Sequence, residues 1–580
     1  MTQLFNDPAA FADEALEGFV AAHRRWVRPV PGGVVRAAAR VPGQVAVVIG
    51  GGSGHYPAFS GLVGQGLAHG AAVGNVFASP SARQVRQVAK AAEAGGGVLL
   101  TFGNYAGDVL HFGQAADQLR AEGVDVRVLP VTDDVSSASP EEAHKRRGVA
   151  GDLAVFKVAG AAAERGLPLD EVTRLAELAN ARTRSFGVAL SGCTLPGADE
   201  PLFTVDPGRL ALGLGIHGEP GMGERDVPSA DETAALLVGT LLAELPPGVD
   251  GTAGQRAAVI LNGLGAVKYE ELFVVYRRVA ELLGEAGVEI VDPEVGELVT
   301  SFDMAGVSLT LCWLTDELEP LWTAPADAPA YRKGAVAAPA AATQDGDEPA
   351  TAAEQDALPA ADDDSRRAAR RVLAALAAVR ATVDEHVDEL GRIDAVAGDG
   401  DHGIGMGRGS HAAHEAAADA VARGAGAATT LDLAAAAWAD RAGGTSGALW
   451  GVILGSVGSA LGDTGRPTPE AVASGVAGAA AGVQRLGKAE VGDKTMVDAL
   501  VPFADALGAA VATGAPLATA WDTAASAAEA AAAATAELLP RMGRARPHAE
   551  KSLGTPDAGA HSLALITRAV QRTLADKEVD

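Results

Sequence analysis

The sequence predicts a chain of two unlike halves: an α/β N-terminal half of two lobes, joined by a linker to an all-α C-terminal helical barrel. Three observations predict this. Short β-branched runs ending in Gly or Asp crowd the first 230 residues; an Ala-, Pro- and acid-rich stretch without apolar period begins near residue 324; beyond it, apolar residues recur at spacings of three and four.

In the first lobe the strand-like runs are Val45–Ile49 before GGGSGH, Gly97–Thr101 before FGNYAGD, and Val126–Val131 before TDD, with helical periodicity over 82–95 and 113–122. Strand, polar loop, helix, strand is the grammar of an α/β layer fold, in which ligands gather at the loops after the strands. A second set, Ala257–Leu261, Glu289–Val291 and Val307–Leu311, predicts the second lobe. The stretch 331–364 reads as a flexible linker, leaving 1–330 as the α/β domain and 365–580 as the helical one. There Val372, Leu373, Leu376, Val379, Val383, Val387 and Leu390 form one helix face, and Ala-dense segments at 410–422, 431–442, 467–485, 500–513 and 517–538 repeat the pattern. Alanine favours helix and lets helices approach closely, so a bundle or barrel is expected.

The 580 residues carry 46 Lys+Arg against 74 Asp+Glu, a net charge of −28. That balance argues against a nucleic-acid or anionic-membrane partner, which needs a concentrated basic face. The two cysteines, Cys193 and Cys312, make no disulfide framework or metal spacing. The N-terminus shows no basic segment followed by an apolar core, and no run of about twenty uninterrupted apolar residues is seen. The expected setting is cytoplasmic.

Three motif matches fail on context. GLGIHG at 213–218 fits GxGxxG, but EPGMGERD cannot open the helix that a dinucleotide site needs. GVQRLGK at 482–488 resembles a P-loop, but Ala489 replaces the magnesium-binding hydroxyl. The loop at Asp399 starts like a calcium loop and has Gly at its fifth position.

More specific features remain. Asp394, Asp399 and Asp401 lie in IDAVAGDGDHGIG, and three carboxylates so close repel unless a hard cation such as magnesium neutralises them. GGTSG, with Thr445, Ser446 and Gly447, offers hydroxyls and backbone N–H groups before a helix, suited to phosphate. GDKTMVD and the pair GR with DAGA are further polar loops. In the first half, GGGSGH puts backbone donors, a hydroxyl and the imidazole of His55 at a strand end; Asp108 ends GNYAGD; His217 sits among glycines that let a ligand approach its ring.

Together these motifs resemble the dihydroxyacetone kinase family in its single-chain, ATP-dependent form. The resemblance spans nearly the whole chain: GGGSGH, GNVFASPS, NYAGD, RGVAGDLAVFKVAGAAAERG and GIHGEPG, then DxxxxGDGDxG, GGTSG, GDKTMVDAL and GR…DAGA. It implies a ketose-binding N-terminal domain and an eight-helix barrel that binds ATP with Mg2+. It further implies that His217 adds reversibly to the substrate ketone as a hemiaminal, that His55 assists, and that Asp108 is the general base. Gly52, Ser53 and Gly54 would line the substrate pocket. Asp394, Asp399 and Asp401 would hold magnesium, and His402, Gly403, Thr445, Ser446, Gly447, Thr495, Met496, Arg544 and Asp557 would contact the nucleotide. Family members are commonly homodimers, and the linker is long enough for a swapped one.

The chain departs from the family pattern at Tyr56 for Glu, Gly103 for Lys, His402 for Thr and Ala558 for Pro. Gly in place of a long cation beside Asp108 opens space for a ketose one carbon longer, such as erythrulose. The reading is therefore an ATP-dependent kinase of a terminal hydroxyl on a three- or four-carbon ketose. The alternatives are broad triose and tetrose activity including glyceraldehyde, lyase activity on a flavin dinucleotide, a ligand-sensing regulator, and a phosphoprotein donor.

Overall fold

The computed structural model describes residues 4–336, 358–396, 398, 400–542 and 551–575. The chain divides into two compact units, residues 1–348 and 349–580.

The first unit contains two mixed sheets. The six-stranded sheet runs Val27–Val30, Gly33–Arg36, Gly70–Val76, Ala46–Ser53, Val98–Gly103, Val126–Val131. Its last four strands are parallel and the first two form an antiparallel edge hairpin. Val98–Gly103 is buried at every residue, the reason a parallel strand reads as an unbroken apolar run. The strand expected to stop at Ile49 continues to Ser53. Glycine permits this: a Cβ on Gly50 would lie 2.5 Å from the Ala72 carbonyl oxygen of the next strand. The helix expected over 113–122 starts earlier, as Ala106–Ala121, because its first turn is the small and polar AGD rather than an apolar stripe. Helix Gly151–Glu164 is buried along all but its last residue, which hides any amphipathic period.

The second sheet orders Glu289–Ile290, Arg256–Gly263, Gly306–Leu314, Thr183–Ala189, Arg209–Leu212 and Gly223–Asp226, with Glu294–Gly296 also paired to Arg256–Gly263. Helices Ala230–Leu242 and Tyr269–Glu285 pack with it over a core that includes Leu237, Leu241, Val279 and Trp313.

Both ends of the stretch expected as linker, 331–364, are structured. Arg332–Lys333 pairs with Ala326–Asp327, Tyr331 is buried, and Lys333 meets Asp292 at 2.8 Å and Glu294 at 2.9 Å. At the other end Asp362 caps helix Asp363–Asp394 by accepting from the Ser365 N–H at 2.8 Å. An acidic run that reads as linker is thus a helix start, where carboxylates are favoured. Residues 337–357 lie outside the described ones.

Among the described residues the second unit has eight α-helices: Asp363–Asp394, His402–Ala422, Ala427–Ala442, Gly444–Leu461, Pro469–Gly487, Val497–Ala512, Leu517–Ala534 and Ala558–Ala575. Each packs on the next, and the last packs on the first, closing a ring. Inside, Trp438 stacks on Trp450 at 5.0 Å, and an apolar cavity of about 450 Å³ is lined by residues such as Leu376, Ile453 and Phe503. Helix Gly444–Leu461 is long and apolar enough to pass as a membrane span, yet it packs between two ring neighbours.

Candidate active site

Two polar centres form, one in each unit. In the first, His55 lies two residues past strand Ala46–Ser53, and His217 lies in the loop between strands Arg209–Leu212 and Gly223–Asp226. Far apart in sequence, their Nε2 atoms meet at 3.0 Å. Each ring is held from behind. His55 Nδ1 is 2.8 Å from the Thr300 carbonyl oxygen, and His217 Nδ1 is 2.9 Å from Glu219 Oε1. Phe77 stacks on His55 with centroids 4.9 Å apart, and Tyr105 meets His217 edge-on at 4.9 Å.

This arrangement sets the proton inventory. A carbonyl oxygen only accepts, so His55 Nδ1 carries a hydrogen. Glu219 Oε2 accepts the His217 backbone N–H at 3.1 Å, and as a carboxylate Glu219 also accepts at Oε1, so that His217 Nδ1 carries a hydrogen. Both Nε2 atoms would then present lone pairs at 3.0 Å, which is repulsive unless one proton lies between them. The pair therefore shares a proton and resists a second: burial, then the neighbouring His217, pushes His55 down to about 3.

Asp108 is buried in the first turn of helix Ala106–Ala121, three residues after Tyr105. Asp152 faces it electrostatically, and burial together with the charges of Asp133 and Asp108 raises the Asp152 carboxyl well above its usual range. Gly103 adjoins this group: a Cβ there would sit 3.2 Å from the Tyr105 ring and 3.3 Å from Asp152 Oδ2. Of the expected pocket residues, Gly54 adopts a φ of +107° against Phe77 and Phe302, where a Cβ would come within 2.7 Å of both rings. A Cβ on Gly52 would lie 2.7 Å from the Ala78 amide nitrogen. Ser53 spends its hydroxyl on the Gly74 carbonyl at 2.7 Å. Tyr56 turns outward, with its ring 6.0 Å from that of Phe19. The sequence reading missed Glu219, Arg147, Phe77, Tyr105 and Thr300. Glu219 had a signal, since it stands two residues after the histidine in GIHGEPG.

In the second unit, the polar loops converge at the helix ends. Asp394 ends the first helix, and its Oδ2 is 3.4 Å from the His402 N–H. His402 is buried, with Nε2 at 3.0 Å from Ser562 Oγ and Nδ1 at 3.5 Å from Ser446 Oγ. Thr445, Ser446 and Gly447 open helix Gly444–Leu461 after Gly443 and Gly444, both at positive φ. Asp498 accepts the N–H groups of Gly492 at 2.6 Å and Thr495 at 2.7 Å, shaping the loop before helix Val497–Ala512. Met496 is buried there, beside the Asp557 segment: a Cβ on Gly559 would touch Asp557 Oδ2 at 3.1 Å and Met496 Cβ at 3.3 Å. Lys494 donates to the carbonyls of Leu538 and Ser552. Gly403 serves packing, because a Cβ would meet the Val387 carbonyl oxygen at 2.1 Å.

Asp399 and Arg544 lie outside the described residues. Among the described ones no three ligating side chains form a group able to hold a metal ion. Acidic side chains do accumulate at these helix ends. Burial, then the charges of Asp498 and Asp394, pushes Asp557 up to about 7, and the nearby cation Lys494 turns to carbonyls. Carboxylates accumulated this way are relieved by a hard cation.

Residues 17–330 match the Dak1 domain and residues 396–572 the DAK2 domain. The chain is 61% identical to the L-erythrulose kinase of Pectobacterium atrosepticum, covering 99% of this chain and 97% of the relative. It is 56% identical to the D-erythrulose kinase of Mycolicibacterium smegmatis, covering 98% of each. A solved structure, the dihydroxyacetone kinase from C. freundii in complex with AMP-PNP and Mg2+, is 30% identical with a TM-score of 0.52, covering 98% of this chain and 99% of that one. An α/β module with a histidine pair, followed by a closed ring of helices, defines a two-module kinase. Both domain matches fall in one chain, so it belongs to the single-chain dihydroxyacetone kinase family.

Proposed function

We propose that the protein phosphorylates a terminal hydroxyl of a short ketose of the erythrulose class, using ATP, with the ketose held as a hemiaminal on His217. The observation that carries this reading is the imidazole pair, 3.0 Å apart and anchored at both outer nitrogens. An Nε2 lone pair adds to an electrophilic ketone and has nothing to attack in a polyol of the same shape, so capture selects carbonyl compounds. His55 Nε2 hands the shared proton to the carbonyl oxygen as the bond forms. Asp108 takes the proton of the hydroxyl that becomes phosphorylated.

The four-carbon preference follows from the names of the relatives. The space expected at Gly103 is already filled, since a Cβ there would lie 3.2 Å from the Gly148 carbonyl oxygen and the Tyr105 ring and 3.3 Å from Asp152 Oδ2. Relatives named for opposite enantiomers are 61% and 56% identical, so overall similarity does not select the hand of the sugar. In the helical unit, Asp394, Asp399 and Asp401 would hold magnesium, which when bound offsets negative charge on nucleotide phosphates. The loops at Thr445, Ser446 and Gly447, at Thr495 and Met496, and at Asp557 with Arg544 would position the nucleotide with His402 and Gly403. A homodimer belongs to the same proposal; sedimentation of the purified protein as a monomer at assay concentration removes it.

The test is a panel of L-erythrulose, D-erythrulose, dihydroxyacetone and D-glyceraldehyde assayed for ADP release with Mg2+. An erythrulose enantiomer giving the largest kcat/KM supports the reading. ADP release with none of the ketoses ends it.

A further inference from the structure

Behind the imidazole that captures the ketone stands a carboxylate that the reaction as written leaves unused. Glu219 Oε2 accepts the His217 backbone N–H at 3.1 Å while Oε1 lies 2.9 Å from Nδ1, so one side chain grips both the ring and its own peptide. Arg147 Nη1 is 3.9 Å from Oε2. That arginine is itself fixed by Asp134, with its Nε 2.9 Å from Oδ2, and by the Gly213 carbonyl at 3.1 Å at the start of the histidine loop. Gly215 makes room for the pair: a Cβ there would fall 2.0 Å from Glu219 Oε2 and 2.5 Å from Arg147 Nη1. The titratable and charged groups facing Glu219 include His217, His55, Arg147, Tyr105 and Cys193.

We propose that Glu219 is a positioning residue for ketone addition, holding His217 as the Nδ1–H tautomer and opposing the charge that addition places on its ring. The inference rests on the hemiaminal reading above. In the step, the His217 Nε2 lone pair forms a bond to the carbonyl carbon and the C=O π pair moves to oxygen. That oxygen takes the proton shared with His55 Nε2. The substituted ring is left with Nδ1–H and one positive charge, directly against the Glu219 carboxylate. Atoms and charge balance without a proton from solvent: the pair's single positive charge becomes the ring's.

Two consequences separate this role from a purely structural one. With the charge present, ketone capture is flat with pH until the pair gives up its proton, and weakens above that point. Without the charge, the pair gives up its proton at lower pH, so this alkaline limb moves down.

The experiment titrates the full-length protein with erythrulose labelled with 13C at the carbonyl carbon, followed by NMR as the carbon leaves the ketone region on becoming tetrahedral. Glu219→Gln keeps one acceptor, enough for Nδ1–H or the His217 backbone N–H but not both, and removes the charge. We expect capture weakened about 10- to 100-fold, by analogy with carboxylates that orient metal-ligating histidines, with the alkaline limb moved down. Glu219→Asp keeps the charge and should retain the limb. E219Q with wild-type affinity and an unmoved limb overturns the proposal. If thermal melting shows that E219Q does not fold, E219D decides: a retained limb supports the role and a lowered one overturns it. A wild-type protein that binds erythrulose without a tetrahedral carbon signal overturns the hemiaminal reading itself, a result visible before any variant is made.

Discussion

Gly103→Ala adds one methyl at the place where the site is expected to read the length of the sugar. The new carbon would lie 3.2 Å from the Gly148 carbonyl oxygen, 3.2 Å from Tyr105 Cε2 and 3.3 Å from Asp152 Oδ2. Each contact is a few tenths of an ångström tighter than ordinary van der Waals packing, and Gly103 ends a regular strand. The fold should therefore absorb the methyl, with stability changed by about 1 kcal/mol or less, since lost chain entropy in the unfolded state offsets the crowding. The ligand has less freedom. The methyl fills the gap and presses on Tyr105 and Asp152, and a shift of that wall against the longer ketose is worth about 1–3 kcal/mol, or about 10–200-fold in relative kcat/KM. The assay is ADP release with erythrulose against dihydroxyacetone for wild type and G103A, with a thermal melt as the control. The erythrulose-to-dihydroxyacetone ratio should fall while the melting temperature holds. An unchanged ratio in a folded variant refutes the role given to Gly103, and a large loss of stability refutes the packing argument.

His217→Ala should abolish covalent ketose capture and leave nucleotide binding intact, whereas Asp401→Ala should do the reverse; calorimetric titration of each ligand checks both, and joint loss in either variant contradicts two separate centres. Lys494→Met deletes the buried ammonium that donates to Leu538 and Ser552, and should cost about 1.5–3 kcal/mol, read as a lower melting midpoint. His55 has a folded pKa pushed below its unfolded value of 6.5 to about 3, so the unfolded chain binds more protons between those limits. Stability should therefore fall as pH drops through that window, by at most about 1.4 kcal/mol per unit, and His55→Asn should flatten the slope measured by denaturant titration.

Much of the architecture is legible in local patterns. Val98–Gly103 is the strand that the apolar run over 97–101 predicts, because a strand buried between parallel neighbours is apolar nearly throughout. The first ring helix is legible from Leu376 to Leu390, because one face must meet its neighbours. Its start was not, since the acids of 362–364 carry no period and act through a cap. The helix at Ala106 was hidden because its first turn is small and polar, and the pairing of Arg332–Lys333 with Ala326–Asp327 because strands of two residues carry no alternation.

The site divides along the same line. Asp108, His55, His217 and the aspartates of IDAVAGDGDHGIG announce themselves because a strand end or helix start needs glycine, and chemistry needs polar side chains beside it. Which of them touch is a different matter. His55 and His217, 162 residues apart, hang from different sheets, and only the packing of those sheets brings their Nε2 atoms to 3.0 Å. Local sequence determined where reactive groups stand along the chain, because backbone conformation is a short-range property. Tertiary structure decided their protonation and their partners, because the Glu219 carboxylate and the Thr300 carbonyl accept hydrogen bonds only at contact distance.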